Sequence, residues 1–149
     1  MKNTRQLYKY LFIIFLSSVF LQSCKTLETQ KKANSMNSAM QLYRESIRWA
    51  EWPTVLSLYK PEPGNTDISP PQSHDLNMLK TIRITDVQKA GVNLNEEQTR
   101  AQTSIFIEYH LDNSNSIKSI NHPMNWWYND EFKTWYTSTP LPDFLNNAE

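Results

Sequence analysis

The sequence predicts an α+β domain, in which an N-terminal helix packs on a curved, four-stranded antiparallel meander. Two periodicities and their punctuation carry that expectation. From Met36 the apolar residues recur every third or fourth position, which marks one face of a helix; beyond Ile82 they recur every second position, which marks one face of a strand. Short clusters rich in Asn, Asp and Gly separate the strand-like segments, so successive strands should turn back on their neighbours.

The helix comes first. Met36, Met40, Tyr43, Ile47 and Ala50 fall on one face, and Asn34 or Ser35 can cap the start by accepting a bond from a free first-turn amide. Pro53 cannot continue the hydrogen-bond ladder and biases Trp52 away from helix, so the helix should end near Glu51 or Trp52, with a short second turn from Pro53 to Leu58. The apolar stripe reads as core-facing. Before it, Lys25 to Ser35 (KTLETQKKANS) is polar and has no apolar period, so residues 24–35 read as a flexible tether. After it, Pro61 to Pro71 (PEPGNTDISPP) holds four of the eight prolines and one of the two glycines, and reads as a loop.

The strands follow in order. Ile82, Ile84 and Asp86 alternate with Arg83, Thr85 and Val87; Ile105, Ile107, Tyr109 and Leu111 alternate with Phe106, Glu108 and His110. Gly91 to Glu97 should form the turn between these two, and Asp112 to Asn115 should end the second. A third strand, Ser116 to Tyr128, and a fourth, Thr134 to Thr139, are joined by Asn129 to Lys133. Residues 36–145 make one domain, long enough for one core.

The segment ahead of the domain has its own logic. Met1 to Tyr10 carries Lys2, Arg5 and Lys9 and no acid, and Leu11 to Leu21 then runs apolar apart from Ser17 and Ser18. That run is about half the ~20 residues a helix needs to cross a bilayer. Leu21-Gln22-Ser23-Cys24 follows at once and resembles the lipobox of bacterial lipoproteins. The resemblance implies that residues 1–23 are a removed signal peptide and that Cys24, the only cysteine, carries the lipid. A thiolate is the side chain nucleophilic enough to take a diacylglyceryl group readily as a thioether. Two or more acyl chains then anchor stably where one holds only marginally. Lys25 stands where an Asp would retain a lipoprotein at the inner membrane, so by resemblance to that sorting rule the expected place is the outer membrane, facing the periplasm.

Composition narrows the function. Without residues 1–23 the chain has 12 Lys and Arg against 15 Asp and Glu, a balance that argues against nucleic acid. Gly64 and Gly91 lie in no phosphate-cradling repeat, and no Ser-centred nucleophile motif occurs. No cofactor is expected. Aromatics are abundant, with six of the eleven positions from Trp126 to Tyr136 aromatic, and core mass is the first explanation for them.

Three segments, LYRESIRWAEW (42–52), IFIEYHL (105–111) and WWYNDEFKTWYTSTPLPDF (126–144), resemble a group of small proteobacterial lipoproteins and secreted proteins. More distantly, a helix on a curved antiparallel sheet is similar to the NTF2-like or cystatin-like superfamily, which holds both enzymes and binding modules.

The candidates for function are few. Glu108 and His110 share a strand face, but a metal site needs three or four ligands, and His74 and His122 fall in or near expected loops. A solvent-facing polar side of the sheet explains the pair. Asp130, Glu131 and Lys133 fit a hairpin turn, and Asp143 fits a turn cap. Trp126 and Trp127 should face opposite sides of their strand, one in the core and the other partly exposed as the leading binding candidate. The expected role is a non-enzymatic envelope module that binds another protein through its sheet face or an edge strand. The alternative is a small-molecule-binding or enzymatic domain with Tyr109, Trp126 or Trp127 and His110 around an enclosed pocket.

Overall fold

The computed structural model describes residues 27–64, 73–114 and 116–144. The expected signal segment, Cys24 and Lys25 lie outside them. Within them the chain is α+β: one long helix packs against a four-stranded antiparallel meander of order β1-β2-β3-β4, which does not close into a barrel.

Helix α1 spans residues 27–48. It therefore occupies Leu27 to Ser35, where a flexible tether was expected. The reason is that these residues are held by polar contacts, which leave no apolar period. Leu, Glu, Gln, Lys and Ala favour helix, and Lys32 lies 3.8 Å from Glu28 one turn earlier and 3.4 Å from Asp130. The indole of Trp135 donates to the Lys32 carbonyl and to Ser35 Oγ, each at 3.1 Å. Ser35 is consequently no cap: its hydroxyl donates back to the Lys32 carbonyl at 2.8 Å.

The expected core stripe holds at Met36, Met40, Tyr43 and Ile47, all fully buried, and stops before Ala50. Ala50 takes a left-handed φ of 53°. Its amide donates to the Ile47 carbonyl at 3.0 Å and that of Glu51 to Ser46 at 2.8 Å, which closes α1 with a paired C-terminal cap. Helix α2, Trp52–Ser57, has Pro53 in its first turn, where the missing amide costs nothing. Residues 58–60 then run parallel to the last strand, with Thr137 donating to Leu58 and Lys60 donating to Thr137. Residues 65–71 of the expected loop lie outside the described residues. Helix α3, Ser73–Leu79, has no counterpart in the sequence reading.

Strands β1 (Ile82–Leu94), β2 (Arg100–Leu111), β3 (Lys118–Asn129) and β4 (Thr134–Thr137) pair in sequence order. β1 runs through Gly91, so the turn comes later than expected. Asn95 fixes it there, its side-chain oxygen accepting the amides of Thr99 at 2.8 Å and Arg100 at 3.0 Å. The register of β1 shifts between Ile84 and Asp86 and again between Lys89 and Val92. Such a bulge reverses the face of every residue beyond it. Val87 thus joins the core opposite Ile107, and Asp86 is left to accept from Arg48 of α1 at 3.0 Å.

Candidate functional site

The sheet divides the sequence-derived candidates between two faces. Trp126 lies on the inner face, 2% exposed, with Tyr43 of α1 edge-on at 5.7 Å. Its indole donates to Thr103 Oγ1 at 3.0 Å, and that hydroxyl is 3.7 Å from Met40 Sδ. Trp126 is therefore a packing residue whose one polar atom is satisfied within the core.

Trp127 projects to the outer face, as alternation requires, but it is only 6% exposed. The expectation of a partly exposed tryptophan fails because residues 60–62 cross above it. Trp127 Nε1 donates to the Lys60 carbonyl at 2.9 Å, and its ring lies 5.5 Å from that of Tyr136. Lys60 Nζ sits over Tyr136 at 5.0 Å and Phe132 at 5.1 Å, while Glu62 pairs with Arg100, the cross-strand neighbour of Trp127. The covering strap comes from far away in sequence, so alternation along β3 could not reveal it.

Tyr109 is on the inner face and fully buried. Its hydroxyl donates to the Phe144 carbonyl at 2.7 Å, and the Phe144 ring stands edge-on at 5.1 Å. Burial, with the nearby Asp143 carboxylate, raises its pKa above the usual tyrosine value, so it stays a neutral donor. Glu108 and His110 are half-buried on the outer face, and His110 Nδ1 lies 3.2 Å from the Leu111 carbonyl. These residues do not converge on one pocket. Ala101, the partner of Trp126, is eight residues along β2 from Tyr109, a span of ~26 Å at about 3.3 Å per residue. Among the described residues, no three His, Cys, Asp or Glu side chains are placed to share a metal ion.

Two features escaped the sequence reading. His122 lies within β3, on the inner face with Ile120 and Met124, and is buried. The Pro140 carbonyl bonds its ring, Nε2 has no partner among the described residues, and burial lowers its pKa to about 4. Its alternation with Ile120, Met124 and Trp126 was the available signal. Tyr43 Oη and Ser46 Oγ of α1 are likewise buried without a described partner. The second feature is Trp49, which at 73% exposure is the most open of the exposed large apolar side chains. It stands at the end of α1 seven positions after Leu42, also exposed, so both look away from the core stripe.

Comparison with family models, with curated proteins and with solved structures finds no match to this chain. The functional reading therefore rests on its own residues.

Proposed function

We propose that this chain is a lipoprotein, anchored through Cys24 to the periplasm-facing leaflet of an outer membrane, whose domain binds another protein of the envelope and is not an enzyme. The observation that carries the reading is Leu21-Gln22-Ser23-Cys24 placed directly after a basic segment and a short apolar run. The binding half draws support from Trp49. Burial of Trp126 and Trp127 makes them fold residues, whereas an open Trp is the kind of side chain that anchors protein interfaces, and Leu42, seven positions earlier, is exposed as well.

A photo-crosslinking residue at position 49 of the lipidated protein in living cells tests it. A discrete protein adduct that disappears with Leu42→Glu, and is absent with the probe at exposed Ile117, is expected. No adduct from position 49 with the protein folded and abundant would move the small-molecule reading ahead.

That second reading has one specific support. Tyr43 Oη, Ser46 Oγ and His122 Nε2 are buried polar atoms without described partners, and such atoms ordinarily hold water or a ligand. Retention of a defined small molecule through purification, lost in His122→Leu, is the outcome that would favour it.

A further inference from the structure

The start of α1 and the tip of the β3–β4 hairpin meet at one end of the molecule. Lys32 reaches Asp130 at 3.4 Å, and Trp135 donates to the Lys32 carbonyl at 3.1 Å. Two large apolar side chains stand open there, Leu27 at 59% and Phe132 at 58%. The charges beside them are mixed. Lys32 pairs with Glu28 and Asp130, Lys133 lies 3.6 Å from Asp130, Glu131 sits in the same turn, Lys31 is exposed on the first turns of α1, and Lys60 Nζ lies over the Phe132 ring. Glu96 and Glu97 occupy the neighbouring β1–β2 turn.

We propose that this end, with Leu27 and Phe132 as its apolar contacts, rests in the headgroup region of the bilayer that holds Cys24. The inference rests on lipidation of Cys24. Two residues, Lys25 and Thr26, lie between Cys24 and Leu27, and the three steps of chain span at most ~11 Å even fully extended. The helix, and not a loose tether, thus follows the anchor almost directly, and no long linker is available to carry this end into the bulk periplasm. At that distance the contact with lipid is intramolecular in effect, so a modest apolar surface suffices to keep it populated. An aromatic ring beside lysines suits the boundary itself: the ring lies among the upper acyl segments while the ammonium groups stay with phosphate and water. Ion pairs with Lys32 and Lys133 offset the charge of Asp130 at a phosphate surface.

Cys24 is the only cysteine, and in the lipidated protein its sulfur is a thioether. Phe132→Cys and Leu27→Cys therefore each introduce a single free thiol for an environment-sensitive fluorophore, with Ile117→Cys as an exposed reference. The purified, lipid-carrying variants are placed in vesicles of phosphatidylethanolamine and phosphatidylglycerol. Blue-shifted emission and quenching by nitroxide-labelled lipids at positions 27 and 132, with neither at 117, is the expected result. Water-like emission at both positions, in a protein that floats with the vesicles and carries acyl chains by mass, overturns the inference and leaves the anchor standing. A protein that neither floats nor carries acyl chains overturns the anchor itself, and the inference with it. Shielding at both positions in cells but not in lipid vesicles identifies a protein as the occupant and also overturns the proposal. The two positions lie on separate elements, so a local defect in one variant leaves the other readable.

Discussion

Trp127 and His122 show what one buried side chain does when its polar atom is treated differently. Trp127 is satisfied by the Lys60 carbonyl and packed against the tilted ring of Tyr136, so it fastens the 58–62 strap to the sheet. Trp127→Ala should lower unfolding stability by about 3 kcal/mol, read by urea denaturation, because both the ring's packing and the Lys60 acceptor's partner are lost. A variant as stable as the parent would return Trp127 to the list of binding residues. His122 is buried neutral, with its pKa lowered from 6.5 to about 4. Between those values the unfolded chain binds a proton that the folded one refuses, so stability falls as pH drops from 6.5 towards 4 and levels off below it. The contribution is up to ~3 kcal/mol. Denaturation at pH 7 and pH 5 should show the loss, and His122→Leu should remove it. Asp86, whose pKa is lowered chiefly by its bond from Gln88, acts in the same direction only at lower pH, below the ordinary carboxylate value. At this scale the sequence placed Trp126 and Trp127 on opposite faces, which is local geometry. Which of them is open to solvent depends on a strap more than sixty residues earlier, and that pairing leaves no mark on β3 itself.

Among the elements, α1 carries the largest departure from the pattern. Its apolar half was legible because Met36, Met40, Tyr43 and Ile47 repeat with helical spacing. Its first nine described residues were not, since hydrogen bonds and ion pairs fix them and their two apolar side chains, Leu27 and Ala33, make no helical period. A chain beginning at Met36 should therefore be less stable than one beginning at Lys25 by roughly 1–3 kcal/mol, because the Trp135 indole loses both acceptors. Equal urea midpoints for the two chains would mean that these residues act as a tether after all. The bulges of β1 belong to the same class of hidden information. Strict alternation from Ile82 points Asp86 inward, and the extra residue near Thr85 turns Val87 inward instead. Arg48 of α1 donates to the Thr85 carbonyl at 3.0 Å and to Asp86, which occupies part of the open edge of β1. The opposite edge is covered where residues 58–60 pair with β4. The four-strand order itself was legible because each connection is short enough to allow only an antiparallel neighbour.

At the scale of the whole molecule, α1 sets a distance. Its 22 described residues are ~33 Å long at about 1.5 Å per residue, with Leu27 at one end and Trp49 just beyond the other. Anchored at Cys24 and seated on lipid at Leu27 and Phe132, the proposed lipoprotein would hold Trp49 away from the membrane, where a second envelope protein can reach it. In this arrangement the anchor and the fold would be separable: among the described residues no helix is long and apolar enough to cross a membrane, and the core cluster they form runs from Met36 to Phe144. Cys24→Ser should accordingly abolish incorporation of labelled palmitate while the domain, purified from residue 25 onward, keeps its unfolding midpoint. Continued labelling of the variant would remove the basis for the anchor. Lys25→Asp separates address from attachment in the same way. In a host that follows the inner-membrane retention rule, it should move the protein from the outer- to the inner-membrane fraction with palmitate labelling and stability unchanged. The substituted side chain lies ahead of α1 as described, so a shift in fractionation without a shift in midpoint would assign the effect to sorting; unchanged fractionation would mean that the address lies elsewhere in the chain.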